Sequence, residues 1–265
     1  MKDKVIIITG ASSGIGKAIA FSLAKNDNKL VLAARNLQKL STITKEIKAK
    51  KIAVLSVVTD VAIKKECKNL IDKCMSEYGR IDILINNAGI SMRSLFNETN
   101  LKVLERVINT NFWGTVFCTK YALPYLLKTK GSLVGVSSIA GHIGLPERSA
   151  YSASKFAMHG FLESVRSENM ENDLHVLIAC PGFTASNIRK SALTKDGSTQ
   201  NESPRNEQKM MSAEQVADHI VRAIKCRKDN LTLSVNGKIA VWLNRFFPKI
   251  AKRLVFNHFK KEKRL

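Results

Sequence analysis

VIIITGASSGIG, at residues 5–16, is the stretch that decides the fold of this chain. An apolar run passes directly into a glycine-rich turn, and a helical pattern over Lys17–Lys25 follows. Glycines permit a tight turn, backbone N–H groups can then approach a pyrophosphate, and the helix N-terminus adds partial positive charge. The spacing G-x-x-x-G-x-G differs from the common G-x-G-x-x-G pattern, and alone it also fits a plain strand–helix turn. As a phosphate-binding turn it predicts contacts from Gly10, Ser12, Ser13, Gly14, Ile15 and Gly16.

Short β-branched runs alternate with helical patterns along most of the remaining chain. The first four runs are almost entirely apolar, as expected of strands buried on both faces. Alternation of this kind favours right-handed crossovers and a parallel sheet. The sequence therefore predicts an α/β fold, a Rossmann-type doubly wound parallel sheet of seven strands with helices on both faces, over residues 1–237. The predicted strands are Val5–Thr9, Leu30–Ala34, Ala53–Thr59, Ile83–Asn86, Ser132–Ser137, His175–Ala179 and Leu231–Val235.

Composition narrows the class of protein further. The 265 residues are 45% hydrophobic and 25% charged, which excludes a disordered tail, a collagen-like repeat and a polytopic membrane protein. The formal net charge of +21 favours anionic partners. Five scattered cysteines argue against a disulfide framework and a zinc site, so we expect no metal. Without a secretory segment or a long apolar run, the expected compartment is the cytoplasm.

The end of the second predicted strand bears on cofactor choice. An acid at this place would hold a ribose 2′-hydroxyl. The chain instead reads Leu32-Ala33-Ala34-Arg35-Asn36, and the next acid is Glu46. Arg35 can pair with a 2′-phosphate, so NADP(H) is favoured over NAD(H). The alternative is a solvated surface arginine.

Tyr151 and Lys155 lie at i and i+4, on one face of a predicted helix. Tyrosine is a poor acid–base catalyst near neutral pH, but a lysine ammonium one turn away favours the phenolate and lowers the tyrosine pKa. Ser138 follows a predicted strand and could donate a hydrogen bond to a carbonyl oxygen. Taken alone, the Y-x-x-x-K spacing is more typical of a surface pair.

Six segments in order nevertheless make up a pattern that closely resembles the short-chain dehydrogenase/reductase family over residues 3 to 237. They are T-G-A-S-S-G-I-G at Thr9–Gly16, N-N-A-G at Asn86–Gly89, Asn109-Thr110-Asn111, Ser138, Tyr151-x-x-x-Lys155 and Cys180-Pro181-Gly182.

The resemblance implies a role for each catalytic position. Tyr151 would protonate the carbonyl oxygen or act as base in reverse, and Ser138 would orient the carbonyl. Lys155 would hold the nicotinamide ribose and depress the pKa of Tyr151. Asn111 would anchor a water in the proton relay. Hydride chemistry would belong to the cofactor.

The resemblance also implies the cofactor contacts. Asn87 has an equally weighty structural interpretation, because it packs the central sheet. The family often carries a threonine four residues beyond the last glycine, where this chain has Ser186, so the choice between Thr184 and Ser186 stays open. The implied positions, besides the glycine turn and Arg35, are Asp60 and Val61 at the adenine, Asn87, Ala88 and Gly89 under the cofactor, and Pro181, Gly182, Thr184 and Ser186 after the sixth strand.

The region around the polar loop at residues 186–211 favours a hydrophobic carbonyl or alcohol substrate, such as a lipid, steroid-like or acyl ketone. Positions expected to face it are mostly apolar, and core packing is the alternative for each: Met92, Arg93, Ile139, Ile143, Leu145, Pro146 and Phe183. The resemblance further implies a homodimer or homotetramer through Leu101–Leu127 and Tyr151–Asn169. A small soluble carbonyl substrate and a non-catalytic NADP-binding scaffold are the alternative functions.

The tail at residues 238–265 combines nine basic residues and one acid with apolar residues at near-helical spacing, broken by Pro248. Such a pattern favours an amphipathic helix at an anionic membrane surface. A helix pair packed on the domain or on a partner subunit is the alternative. Nucleic acid is not expected as a partner, because no recognition motif accompanies the charge.

Overall fold

The computed structural model describes residues 1–185, 188–202 and 210–263. Its seven strands are β1 Val5–Thr9, β2 Lys29–Ala34, β3 Val54–Val58, β4 Ile83–Asn86, β5 Ser132–Val136, β6 His175–Cys180 and β7 Asn230–Thr232. The α-helices of the described part are α1 Gly14–Leu23, α2 Leu37–Lys48, α3 Lys64–Tyr78, α4 Leu101–Ile108, α5 Gly114–Lys128, α6 Ser149–Glu168, α7 Ala213–Lys225, α8 Val235–Phe246 and α9 Pro248–Lys263.

The strands form one parallel sheet in the order β3-β2-β1-β4-β5-β6-β7. The prediction of a doubly wound, seven-stranded parallel sheet is confirmed. Strand order reverses between β1 and β4, where Ile7 pairs with Leu84. In such sheets the crevice beyond the carboxyl ends of the strands at the reversal is the usual ligand site.

Each face of the sheet carries its own hydrophobic core, because successive side chains of a buried strand point to opposite faces. Ile6 and Ile8 of β1 pack in the core that includes residues of α1, α2 and α7. Val5 and Ile7 pack on the other face, with residues of α3, α5 and α6. β3 is the exception among the first four strands: it lies at the sheet edge and exposes Val58.

Two predicted elements differ from the observed ones, the first by an interruption and the second by an earlier end. The helical pattern over Leu101–Leu127 is split between α4 and α5 by one wider, π-helical turn at Asn109–Trp113. The predicted strand Leu231–Val235 stops at Thr232, because Ser234 adopts a positive φ of 64° and its hydroxyl caps α8. Predicted α7 and its capping box, formed by Ser212 and Gln215, are confirmed.

The basic tail forms α8 and α9. α8 begins at Val235, two residues before Gly237, where the sequence predicts that the domain ends and the tail begins. That domain boundary stays a prediction. A Cβ at Gly237 would lie 2.9 Å from Cδ1 of Ile139, so α8 packs closely on the short 3₁₀ turn Ile139–Gly141. Within the ranges described, none of the helices is both long and apolar enough to cross a membrane.

Candidate active site

A cleft of about 440 Å³ lies beyond the carboxyl ends of β1 and β4. Most of the predicted site residues line it: Gly10, Ser12, Ser13, Gly14, Ile15, Arg35, Asp60, Val61, Asn87, Ala88, Gly89, Ser138, Tyr151, Lys155, Pro181, Gly182 and Thr184. Gly16 and Asn111 are absent from the described cleft wall, and Ser186 lies outside the described residues. Topology thus brings together residues from seven separate segments of the chain.

The glycine turn has the backbone that a close phosphate approach requires. Gly10 and Gly14 adopt positive φ values of 64° and 52°, which side chains rarely tolerate. A Cβ at Gly10 would lie 2.8 Å from the Ala88 Cα, and one at Gly16 would collide with the Asn87 amide nitrogen. Gly16 therefore lets α1 approach Gly10 and Asn87, the residues that directly follow β1 and β4. The N-terminus of α1 begins at this turn and suits an anionic ligand.

The cleft floor is tied to the sheet by hydrogen bonds between β1 and the segment after β4. Asn87 Nδ2 donates to the carbonyl oxygens of Thr9 at 2.9 Å and of Gly10 at 3.2 Å. In return, Thr9 Oγ1 accepts from the backbone amides of Asn87 and Ala88, both at 3.0 Å. Asn87 thus connects two strands, in agreement with its structural interpretation.

The end of the cleft beside β2 is lined by three basic residues and by two acidic ones, Asp60 and Glu105. Arg35 is half-exposed, and its Nη1 lies 3.8 Å from Oδ2 of Asp60. Lys102 and Arg106 line an adjoining depression together with Arg35 and Asp60. Neither α4 residue is predicted from the sequence, because nothing in the local pattern distinguishes them from a solvated helix face.

Three of the four predicted catalytic residues meet at one wall. Tyr151 and Lys155 lie on α6, with Lys155 Nζ 5.9 Å from the Tyr151 ring centroid. Lys155 is buried and donates to the carbonyl oxygen of Val136, at the end of β5, at 2.9 Å. Ser138 follows β5, hydrogen-bonds with the Tyr151 side chain, and accepts from the Ala140 amide at 3.2 Å.

Burial dominates the electrostatics of this wall. It raises the pKa of Tyr151 above its ordinary value, although the hydrogen bond with Ser138 and the charge of Arg148 act in the opposite direction. Burial also lowers the pKa of Lys155 to about 8. The net direction for Tyr151 is thus opposite to the sequence-based expectation, because desolvation outweighs the neighbouring charges. Arg148, three residues before Tyr151, is a cleft residue that the sequence analysis missed.

Asn111 lies behind the cleft, in the π-helical turn, with no exposed surface. Its Nδ2 donates to the Ile90 carbonyl oxygen at 3.0 Å and to Ser154 Oγ at 2.9 Å, while its Oδ1 accepts from the Ile90 amide at 2.8 Å. The side chain thus fixes the segment after β4 to α6. Its predicted part in a proton relay stays a prediction.

The segment after β6 closes the opposite side of the cleft. Thr184 is buried, and its Oγ1 donates to the Gly182 carbonyl oxygen at 3.2 Å. The Thr184 carbonyl oxygen accepts from Arg189 Nη2 at 2.7 Å. Thr184 therefore fits one of the two alternatives, and the choice between it and Ser186 stays open.

The described substrate-side wall is more polar than predicted. Leu145 and Phe183 line the cleft as expected. Met92, Arg93, Ile139, Ile143 and Pro146 do not belong to the described wall, and Met92 and Ile143 are buried in packing instead. Other residues of this wall, which the sequence analysis missed, are Ser91, Arg148, Ile188, Arg189, Ser191, Leu193 and Thr199.

Comparison with known proteins agrees with this geometry. A family model described as short chain dehydrogenase matches residues 4–197. Dehydrogenase/reductase SDR family member 7B of Xenopus tropicalis is 33% identical over 273 residues, covering 100% of this chain and 88% of that protein. The 11-beta-hydroxysteroid dehydrogenase-like 4A of Arabidopsis thaliana is 39% identical over 185 residues, 69% of this chain and 62% of that protein.

Two solved structures share the fold, each at 23% sequence identity. A short-chain dehydrogenase/reductase from Burkholderia phymatum in complex with NAD has a TM-score of 0.83 and covers 94% of this chain and 95% of its own. An alcohol dehydrogenase from the archaeon Thermococcus sibiricus, complexed with 5-hydroxy-NADP, has a TM-score of 0.78. The match covers 88% of this chain and 96% of the alcohol dehydrogenase chain.

Fold and site together define the class as a Rossmann-fold oxidoreductase. The match over residues 4–197 places it more narrowly: this chain belongs to the short-chain dehydrogenase/reductase family. It is an oxidoreductase acting on CH–OH or C=O groups.

Proposed function

We propose that the protein is an NADP(H)-dependent oxidoreductase that transfers hydride between the nicotinamide and a carbonyl or alcohol of a hydrophobic substrate, with Tyr151 as the acid or base. One observation carries the proposal. Tyr151, Lys155 and Ser138 share one wall of the cleft that the glycine turn also lines. The left-handed Gly10 and Gly14 fit a dinucleotide pyrophosphate at that turn.

The protein's own residues would position the substrate and move the proton. When bound, the nicotinamide cofactor supplies or accepts the hydride. The Ser138 hydroxyl donates to the substrate carbonyl oxygen and holds it beside the Tyr151 hydroxyl, which gives up its proton as the oxygen gains charge. Lys155, fixed by Val136, brings a basic nitrogen to the cofactor side of the tyrosine.

Tyr151→Phe tests the mechanism. We expect turnover of NADPH with a panel of hydrophobic ketones to fall by about 100-fold or more, because a positioned acid contributes about 10²–10⁴-fold. Cofactor binding, followed by fluorescence, should be preserved. Tyr125→Phe on α5 is the matched control and should behave like the wild type. Retained activity in Tyr151→Phe would reject the mechanism, and a wild type that binds NADPH without any turnover would favour a scaffold.

Preference for NADP(H) rests on the basic end of the cleft. Arg35 stands at the end of β2 with no acid next to it in sequence, and Lys102 and Arg106 add positive charge. A hydrogen bond to a charged group contributes about 1.5–3 kcal/mol, so Arg35→Ala should raise the Kd for NADPH by about 10-fold to 100-fold and leave that for NADH nearly unchanged.

Lys45→Ala is the matched control, since Lys45 is an exposed α2 residue away from the cleft wall. It removes the same charge without touching the cofactor. If Arg35→Ala weakens the binding of NADPH and NADH equally, or changes neither, the preference for NADP(H) is contradicted. Asp60 would then be the candidate that binds a ribose hydroxyl.

A hydrophobic substrate is supported by Leu145 and Phe183 in the cleft wall and by the hydroxysteroid dehydrogenase-like relative. The same wall is partly polar, so a polar substituent on such a molecule would also find hydrogen-bonding groups there. The ketone panel should therefore pair each apolar ketone with an analogue that carries a hydroxyl or carboxylate. Preference for small soluble carbonyls throughout would support the alternative substrate class.

We further propose that α8 and α9 bind an anionic membrane surface. Both helices expose apolar side chains beside lysine and arginine, a combination that suits the interface of an acidic bilayer. The exposed apolar residues are Val235, Ile239, Trp242, Phe246, Phe247, Ile250, Leu254 and Phe256.

Flotation with vesicles containing phosphatidylserine tests this surface. Trp242→Ser should reduce binding, whereas Leu37→Ser should not, because Leu37 is comparably exposed but lies on α2. Binding should also fall as salt is raised. Equal binding of both variants would contradict the proposal, and concentration-dependent association without vesicles would assign the patch to a second copy of the chain.

We also propose a homodimer or homotetramer through α4, α5 and α6. These helices expose Leu101 and Phe156, and Trp113 stands exposed in the turn between α4 and α5. Light scattering should give a mass of two or four chains, and Phe156→Ser should lower it. A monomer at micromolar concentration would contradict this assembly.

A further inference from the structure

A cluster of three potential metal ligands lies beneath the active site, outside the described cleft wall. His142 follows the 3₁₀ turn Ile139–Gly141, His159 lies on α6, and Cys180 ends β6. Their ligand atoms all lie within 4.8 Å of one another. We propose that His142, His159 and Cys180 bind a divalent transition-metal ion of the zinc class.

Two distances carry the inference. Cys180 Sγ lies 3.5 Å from Nε2 of His142 and 3.5 Å from Nε2 of His159. A tetrahedral zinc ion with Zn–S near 2.3 Å and Zn–N near 2.0–2.1 Å places sulfur and nitrogen ligands about 3.5 Å apart. Both sulfur–nitrogen pairs therefore already have the separation that one shared ion requires. The two imidazole nitrogens need about 3.4 Å, so they would close by at most about 1.4 Å.

Hydrogen bonds within the cluster depend on the imidazole tautomers. The thiol can donate its one proton to one imidazole nitrogen, and it can accept from the other only if that nitrogen carries a hydrogen. Nε2 of His159 also lies 2.7 Å from Ser137 Oγ, so that nitrogen has a second neighbour. A cation would be contacted by all three ligand atoms at once, with Ser137 or a water available for the fourth position.

The surroundings hold the cluster together and leave an approach to it. His159 and Cys180 are buried, whereas His142 is half-buried and reaches toward solvent. A Cβ at Gly141 would lie 2.6 Å from His159 Nε2, so only glycine lets the turn approach this ring. Asn244 of α8 donates to the His142 carbonyl oxygen at 2.9 Å and fixes the turn from outside.

The ligand chemistry selects the ion. Two imidazoles and one thiolate suit zinc, and also cobalt as its spectroscopic substitute, better than magnesium or calcium. Because Cys180 must lose its proton to bind the ion, each ion bound releases a proton. The ion would join β6, α6 and the turn after Ser138, three segments that position the catalytic wall.

Zinc binding to the full chain tests the proposal by equilibrium dialysis after chelator treatment. We expect about one ion per chain for the wild type and for Tyr151→Phe, whose catalytic defect is independent of this site. Loss of a direct ligand should weaken binding by more than about tenfold, since even changing a residue that only hydrogen-bonds to a ligand costs about 10–100-fold. His142→Ala and Cys180→Ser are the ligand variants.

Matched controls are His219→Ala and Cys226→Ser, which remove the same side chains from exposed positions on and after α7. Both control variants should bind zinc as tightly as the wild type does. Cobalt added to the wild type should give a thiolate-to-metal charge-transfer band that Cys180→Ser lacks. The cobalt spectrum of the wild type detects a thiolate ligand without any substitution, so this measurement does not depend on whether the variants fold. Wild-type protein without this band, or zinc binding unchanged in His142→Ala, would overturn the proposal.

Discussion

Removing one buried hydroxyl should loosen the floor of the cleft. Thr9 is 1% exposed, and its Oγ1 accepts from the backbone amides of Asn87 and Ala88, both at 3.0 Å. Thr9→Val keeps the shape and the β-branched side chain but deletes the acceptor, along with a long hydrogen bond from Thr9 Oγ1 to the Ile85 carbonyl oxygen at 3.4 Å. Both amides then face a methyl group.

The expected cost follows from the two orphaned donors. A buried polar group left without a partner costs about 1–3 kcal/mol. Asn87 and Ala88 are only half-buried, so water in the cleft should reach their amides in part and keep each cost near the lower end. We therefore expect Thr9→Val to lower the free energy of unfolding by about 2–4 kcal/mol.

Urea unfolding at equilibrium measures this loss as a lower midpoint at unchanged slope. NADPH affinity should fall as well, because Asn87 and Ala88 form the proposed cofactor floor. Thr42→Val is the matched control, since Thr42 is exposed on α2 and bonds only within its helix; it should change stability by less than about 0.5 kcal/mol. A Thr9→Val protein as stable as that control would refute the reasoning.

Three further changes test the fold. Ser212→Ala removes the hydroxyl that accepts from the Gln215 amide, one half of the α7 capping box, and should cost about 1 kcal/mol in urea unfolding. Gly135→Ala places a methyl group against Leu162 and should cost about 1–3 kcal/mol, visible as a lower melting temperature. Burial opposes ionisation of Asp82, but hydrogen bonds from a backbone amide and two basic side chains outweigh it and lower the Asp82 pKa. That stabilisation is complete above the ordinary pKa of 3.8 and is lost as pH falls below it, so Asp82→Asn should flatten the acid limb of stability against pH.

Local patterns predicted most of the fold. Buried strands such as β1 and β4 are specified by continuous apolar runs, and both have the predicted bounds. Helix α7 is specified by its capping box. The end of β7 could not be predicted, because the chain leaves the strand at Ser234, which has a positive φ. That conformation depends on the packing of α8 against the rest of the protein. The break at Asn109–Trp113 likewise depends on the tertiary hydrogen bonds of Asn111, which a periodicity does not contain.

The pKa of Tyr151 shows a second limit of sequence reasoning. The spacing of Tyr151 and Lys155 places a charge one turn away, and from that charge alone a lowered tyrosine pKa follows. How deeply the pair is buried depends on β5 and the segment after β6, which pack around it from elsewhere in the chain. Since desolvation raises the tyrosine pKa and lowers that of the lysine, the fold reverses the net direction.

The cluster of His142, His159 and Cys180 could not be predicted from the sequence either. Metal sites are recognised in sequences by ligands a few residues apart, and on that ground the sequence predicts no metal here. Cys180 is 21 residues from His159 and 38 from His142, so no local pattern connects them. They meet because β6 ends beside α6 and beside the turn after β5. The same arrangement brings Ser138, which follows β5, close to Tyr151 on α6. The topology that assembles the catalytic wall therefore assembles the proposed metal site as well, and the two can be separated by experiment because they share no side chain.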